Sequence, residues 1–225
     1  MEKKMKILCL HGFRTSGSFL QKQISNACSH IHRLYTQDFP DGIFAAGGKS
    51  EIEGIFPPPY FEWFQFNKDF TEYTNLDECI SYLCEYITNK GPFDGLLGFS
   101  QGATLSALLL GYQAQASSKF RDPKICEVAY KEKIKVKSVH FIGAKDWLKL
   151  PSQELATAFD NPLIINHPQA HTVPRLDETA TEQLKTWTME ILHSLTDSDN
   201  IKNHQVENQE TQEAYNNING QKEAS

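Results

Sequence analysis

The chain has 225 residues, enough for one α/β domain with a substantial core and too few for two comfortable ones. Its formal net charge of −6, with no basic cluster, argues against a nucleic-acid partner. The five dispersed cysteines, Cys9, Cys28, Cys79, Cys84 and Cys126, are odd in number and lack metal-type pairing, as expected for ordinary buried thiols in a reducing compartment.

The start of the chain is charged, and its apolar run Ile7-Leu8-Cys9-Leu10 is interrupted at His11. That run is too short for a signal-peptide core or a membrane span, so the default expectation is a cytoplasmic or nuclear location. Lys6 to Leu10 is the first predicted strand, and it runs directly into His11-Gly12-Phe13-Arg14-Thr15-Ser16-Gly17. Thr15 and Ser16 fit a helix cap better than a catalytic role. Phe19 to Ser29 has helical spacing and Ile31 to Tyr35 reads as the next strand, which predicts a βαβ unit and a parallel sheet.

From Pro40 to Tyr73 the character changes. Gly42, Gly47, Gly48 and Gly54 precede Pro57-Pro58-Pro59, and then come Tyr60, Phe61, Trp63, Phe64, Phe66, Phe70 and Tyr73. A connection this long is usually a lid or binding loop, so residues 40–75 are expected to form a substrate-binding insertion. Tyr60, Phe61, Trp63 and Phe64 are the candidates to wall an apolar pocket. Asn75 to Asn89 returns to helical spacing, with Leu76, Ile80, Leu83 and Ile87 on one stripe.

Phe93 to Ala103 carries the chemistry. A short apolar run meets Gly98-Phe99-Ser100-Gln101-Gly102, and an apolar helix follows over Ala103 to Leu110. This is a G-x-S-x-G nucleophile elbow, in which small flanking residues let a strained strand-to-helix turn close around the serine. The N–H of Gln101, at the start of the helix, is the expected first oxyanion donor. The loop after the first strand lies opposite such an elbow, which makes Phe13 N–H the candidate second donor.

Gln113 to Lys133 is polar with no obvious strand. Ile134 to Ile142 alternates as a strand and stops at Gly143-Ala144-Lys145-Asp146-Trp147; Pro151 to Phe159 is a short helix candidate. Pro162 to Asn166 is the last predicted strand, followed by a loop holding His167 and His171, and a helix from about Asp177 to Leu195 closes the fold. Residues 197–225 are polar with almost no large apolar side chain, the composition of a disordered tail, so the folded domain is expected to span 1–196. No internal repeat is visible.

A serine hydroxyl needs a base, and the base needs a carboxylate that holds its tautomer. In elbow hydrolases these follow in the order Ser, acid, His. Ser100, Asp146 and His171 meet that order, each just past a predicted strand. Among the eight histidines only His167 shares the loop with His171, and it lies closer to the strand end. Asp160 and Asp177 are rivals for the acid, although Asp160 precedes the last strand and Asp177 resembles a helix cap. No HExxH, paired CxxC, P-loop or strand-borne G-x-G-x-x-G occurs, so no metal or nucleotide cofactor is implied.

Taken together, Leu8-Cys9-Leu10-His11-Gly12-Phe13-Arg14, Gly91 to Ala103 and His167-Pro168-Gln169-Ala170-His171-Thr172-Val173-Pro174-Arg175 closely resemble the FSH family of serine hydrolases. These are α/β-hydrolase esterases that include ovarian-cancer-associated hydrolases and fungal polyketide-releasing thioesterases; the stretch Pro59 to Phe64 looks most like plant members. The resemblance implies an α/β-hydrolase fold, a mostly parallel sheet flanked by helices, and a Ser100, Asp146, His171 triad. It also implies hydrolysis of small-molecule carboxylic esters, often with medium or long acyl chains, with an acyl thioesterase or a non-catalytic binding scaffold as alternatives. The family usually has Gly where this chain has Ala170. Relatives also place an apolar strand ending in Gly-Gly before the segment matching Lys119 to Pro123, whereas here Ala116-Ser117-Ser118 runs straight into it. One central strand is therefore expected to be missing, so that the strand at Ile134 to Ile142 either slides next to the nucleophile strand or leaves a gap.

Overall fold

A computed structural model describes residues 4–27, 35–69, 71–114 and 129–194. The chain divides into two units, Met1–Leu176 and Asp177–Ser225. In the first, β1 (Met5–Leu10), α1 (Gly17–Ala27) and β2 (Tyr35–Asp38) lead into the long connection. There β3 (Phe44–Ala45) pairs antiparallel with β4 (Phe61–Glu62), and β5 (Gln65–Phe66) with β6 (Tyr73–Thr74). Then follow α2 (Leu76–Lys90), β7 (Gly95–Gly98), α3 (Gln101–Ala114), β8 (Val139–Gly143), α4 (Lys149–Thr157) and β9 (Leu163–His167).

β1 is the middle of a parallel sheet of order β2-β1-β7. Leu8, Cys9 and Leu10 have no solvent exposure, as a central parallel strand covered on both faces requires. Side chains alternate across a strand, so Leu8 and Leu10 join one cluster with Leu76, Ile80 and Leu83 of α2 and Leu105 and Leu108 of α3. Cys9 faces the other way, onto Leu20 and Ile24 of α1. The register sets Leu10 opposite Gly98, so the loop after β1 and the turn after β7 begin side by side.

β8 and β9 form a separate parallel pair, with Gly143 opposite His167. Among the described residues no ladder joins β7 to β8, so there β8 has not slid next to the nucleophile strand. α3 touches both strand groups through side chains: Ala107 packs on Ile134 and Phe159, while Leu105 and Leu108 pack on the β1 side.

Several expectations shift. The alternating stretch from Ile134 is strand only from Val139; Ile134 makes an isolated bridge to Phe159, and Val136 is exposed. Alternation needs a neighbouring ladder to become a strand, and none reaches the first half. The strand expected over 31–35 falls mostly outside the described residues, and β2 begins at Tyr35. Most of the polar stretch 113–133 and the whole tail 197–225 also lie outside them.

In the second unit residues 178–194 form α5. Asp177 caps it, accepting the Ala180 N–H on Oδ1 at 2.8 Å. Among the described residues no helix is long and apolar enough to cross a membrane.

Candidate active site

Ser100 sits between β7 and α3 with a left-handed backbone, φ 54°, strain that a non-glycine residue keeps only where its surroundings impose it. The surroundings do so through glycine. A Cβ on Gly98 would collide with the backbone of Gly102 and Ala103, and one on Gly102 with the Leu10 carbonyl of β1. Phe99 N–H donates to Leu10 O at 3.0 Å, and Ser100 O accepts from Ala103 N–H at 2.9 Å, opening α3. The elbow is thus clamped onto the central strand.

The loop after β1 closes over the serine. A methyl group on Gly12 would stand 3.1 Å from the Phe99 ring and 3.5 Å from Ser100 Cβ. Among the described residues neither Phe13 N–H nor Gln101 N–H has a protein acceptor. His11 holds this loop from beneath: its Nδ1–H donates to Gly12 O at 2.8 Å, while its Nε2 accepts the Gly42 N–H at 2.9 Å. Burial lowers its pKa, which suits the neutral ring those two bonds demand.

The second strand pair brings a carboxylate and an imidazole together. Asp146, past β8, takes the His171 Nδ1–H on Oδ2 at 2.9 Å and the Leu148 N–H on Oδ1 at 2.7 Å. Its loop locks to the next one through Ala144 N–H on His167 O at 2.8 Å and Lys145 N–H on Gln169 O at 3.2 Å. Gly143 is needed there, since a Cβ would crowd Gln169 O and Ala170 O at 2.8 Å. Asp146 fixes the tautomer of His171 and leaves Nε2 free. The imidazole rests 4.9 Å from the Phe99 ring and 5.7 Å from the Trp147 ring, centroid to centroid. The His171 ring therefore lies beside the residue preceding Ser100, although among the described residues no hydrogen bond joins Ser100 Oγ to His171.

The rivals sit elsewhere. Asp160 is at the opposite end of β9 from His171, and Asp177 is spent as a helix cap. His167 is buried at the end of β9 with no partner for Nδ1 among the described residues, and burial lowers its pKa. Cys9 and Cys79 are no alternative nucleophiles, since burial pushes both thiols up to about 12.

The aromatic stretch behaves differently from the pocket wall expected of it. Trp63 is fully buried and Phe64 nearly so, both within the main core, while Tyr60 and Phe61 keep partial exposure. The Trp63 indole N–H donates to His11 O at 2.9 Å, its backbone N–H to Gln101 Oε1 at 3.2 Å, and Gln101 Nε2 donates to Phe64 O at 2.8 Å. Gln101 thus ties the elbow to this segment with its side chain. Spacing arguments missed Arg14, Glu62 and Trp147, because nothing in a single sequence marks a charged pair separated by 48 residues or an exposed indole beside His171. Among the described residues no cluster of three or more His, Cys, Asp or Glu could hold a metal.

The sequence profile of the family described as Serine hydrolase (FSH1) matches residues 1–183. The chain belongs to that family. Among relatives, the Esterase OVCA2 of Xenopus tropicalis is 29% identical over 199 residues, covering 76% of this chain and 86% of that protein. A dihydrofolate reductase of Schizosaccharomyces pombe is 28% identical over 209 residues, covering 78% of this chain. This chain spans only 45% of that relative's length. The crystal structure of Arabidopsis thaliana SOBER1 superposes with a TM-score of 0.53 at 14% identity, covering 84% of this chain and all of that one. Together with the parallel sheet and flanking helices, the structural likeness gives an α/β-hydrolase fold.

Proposed function

We propose that this FSH1 serine hydrolase cleaves carboxylic esters of medium to long acyl chains through Ser100, His171 and Asp146. The observation that carries the reading is the Asp146–His171 bond at 2.9 Å, which leaves Nε2 free on a ring packed against Phe99, the residue preceding the strained elbow serine. His171 Nε2 takes the Ser100 Oγ proton as Oγ bonds the carbonyl carbon, and the oxyanion receives hydrogen bonds from Phe13 and Gln101 N–H. Collapse breaks the ester C–O bond, the alcohol leaves with the proton from His171, and Ser100 holds the acyl group. Water, deprotonated by His171, then releases the acid and restores the serine. Asp146 keeps His171 in the working tautomer and steadies its positive form.

The exposed sides of Tyr60 and Phe61 are offered to the acyl chain, with Trp63 and Phe64 shaping that wall from behind. A second reading, a binding scaffold without turnover, is favoured by the lack, among the described residues, of a Ser100–His171 hydrogen bond and of a β7–β8 ladder. A fluorophosphonate probe decides: it should label the wild type and spare Ser100→Ala. Equal labelling of both, with no turnover of p-nitrophenyl esters or acyl thioesters of graded length, would leave the scaffold.

A further inference from the structure

Glu62 is 1% exposed, in the middle of the apolar aromatic stretch. A carboxylate that deep costs several kcal/mol unless it is paired and fully hydrogen-bonded. Its oxygens are filled: Oε1 takes the Arg14 Nε–H at 2.7 Å and the Gly47 N–H at 3.0 Å, and Oε2 takes the Gln65 Nε2–H at 2.8 Å. Arg14 from the loop after β1 and two residues of the 44–66 segment converge on this one side chain.

Arg14 is itself in a conformation that arginine disfavours. Thr15 N–H donates to Gly12 O at 3.3 Å, closing a turn in which Arg14 has φ 53°. Glycine is the usual residue there, and any side chain at that position is strained. The backbone is held from outside as well: Ser50 Oγ donates to Arg14 O at 2.6 Å, and Thr15 O accepts from Phe61 N–H at 2.7 Å, next to Glu62. The guanidinium also stacks on the Phe13 ring at 4.7 Å. A strained arginine and a buried glutamate are each unfavourable alone, and both clamp the turn that carries Phe13 N–H.

Building on the reading of Ser100 as nucleophile, we propose that Arg14 and Glu62 are positioning residues for the oxyanion site. The pair fixes the Gly12–Thr15 turn, so that Phe13 N–H is aimed before substrate arrives. It also couples that aim to the 44–66 segment, since Glu62, Gly47 and Gln65 all belong to it. Preorganisation of this kind matters because removing one oxyanion donor outright costs about 100- to 1,000-fold in rate.

The test is Glu62→Gln and Arg14→Lys, assayed with kcat per active site titrated by fluorophosphonate, beside amide hydrogen exchange of residues 12–15. Both variants should lose about 10- to 100-fold in kcat per titrated site, with KM changed less than about twofold, and the turn should exchange faster while β1 and β7 keep their protection. A merely structural role would lower the titrated fraction and leave kcat per site alone. Unchanged kcat per site in both variants overturns the proposal. If the wild type fails to react with the probe, the serine-hydrolase reading falls instead, and exchange alone decides: faster exchange at 12–15 supports the clamp, and unchanged exchange refutes it.

Discussion

The two halves of the candidate site are built by opposite means. The nucleophile half rests on a covered three-stranded sheet, where Leu8, Leu10, His11, Trp63 and Glu62 are all essentially sealed from solvent and glycines let backbones touch. Asp146 and His171, the proposed acid and base, hang from a two-stranded pair next to exposed apolar side chains, Trp147 at 68% and Leu150 at 70% exposure. Packing density holds Ser100 and the oxyanion loop in place, whereas a few loop hydrogen bonds hold Asp146 and His171. Among the described residues no ladder joins β7 to β8, and the two halves of the candidate site meet through a side-chain contact, Phe99 against His171.

The largest test of this division is Asp146→Asn. It keeps the shape of the loop but accepts the wrong tautomer, so kcat/KM should fall about 10⁴-fold in steady-state ester hydrolysis while the melting temperature stays nearly constant. A fall in both would mean that the pair also holds the fold. Next comes a matched set of tryptophans followed by chemical denaturation. Trp63→Ala should cost about 3–5 kcal/mol as a large core cavity opens, and Trp147→Ala should stay within about 0.5 kcal/mol. Equal costs would erase the contrast between the halves.

The smallest effect is the pH dependence of stability. Burial holds His11, His140 and His167 below the ordinary value of 6.5, so each is neutral in the fold and binds its proton more readily when unfolded. The unfolded chain therefore takes up more protons as pH drops, so the share of stability that these three groups carry is complete above about pH 6.5 and declines as pH falls below it toward their lowered folded values. Melting temperatures between pH 8 and 5 should show that decline. His167→Asn, in the thinly covered strand pair, should flatten part of it; an unaltered slope would assign the effect to His11 and His140.

Much of the site was legible because its chemistry needs local signals. The elbow glycines announce themselves, since no other residue fits where Gly98 and Gly102 lie. The order of Ser100, Asp146 and His171 follows strand ends that apolar runs reveal, and the structure brings Asp146 and His171 into contact. Trp63 shows the limit. In sequence it is one more aromatic in a crowded stretch, and only the fold buries it and spends its indole N–H on His11 O. The strand expected from Ile134 was overdrawn for a similar reason, because alternation states a preference that a neighbouring ladder must accept.

By itself the sequence determined the parallel α/β scheme and the serine turn, since apolar periodicity and glycine spacing act within a few residues of chain, and its resemblance to the FSH family pointed to the family that the profile match shows. Tertiary structure alone decided that, among the described residues, β8 pairs with β9 and not with β7, that Glu62 is buried against Arg14, and that Trp147 stands exposed beside His171. Those facts depend on which distant segments share space, and burial, pairing and charge neutralisation are properties of that shared space rather than of any one stretch.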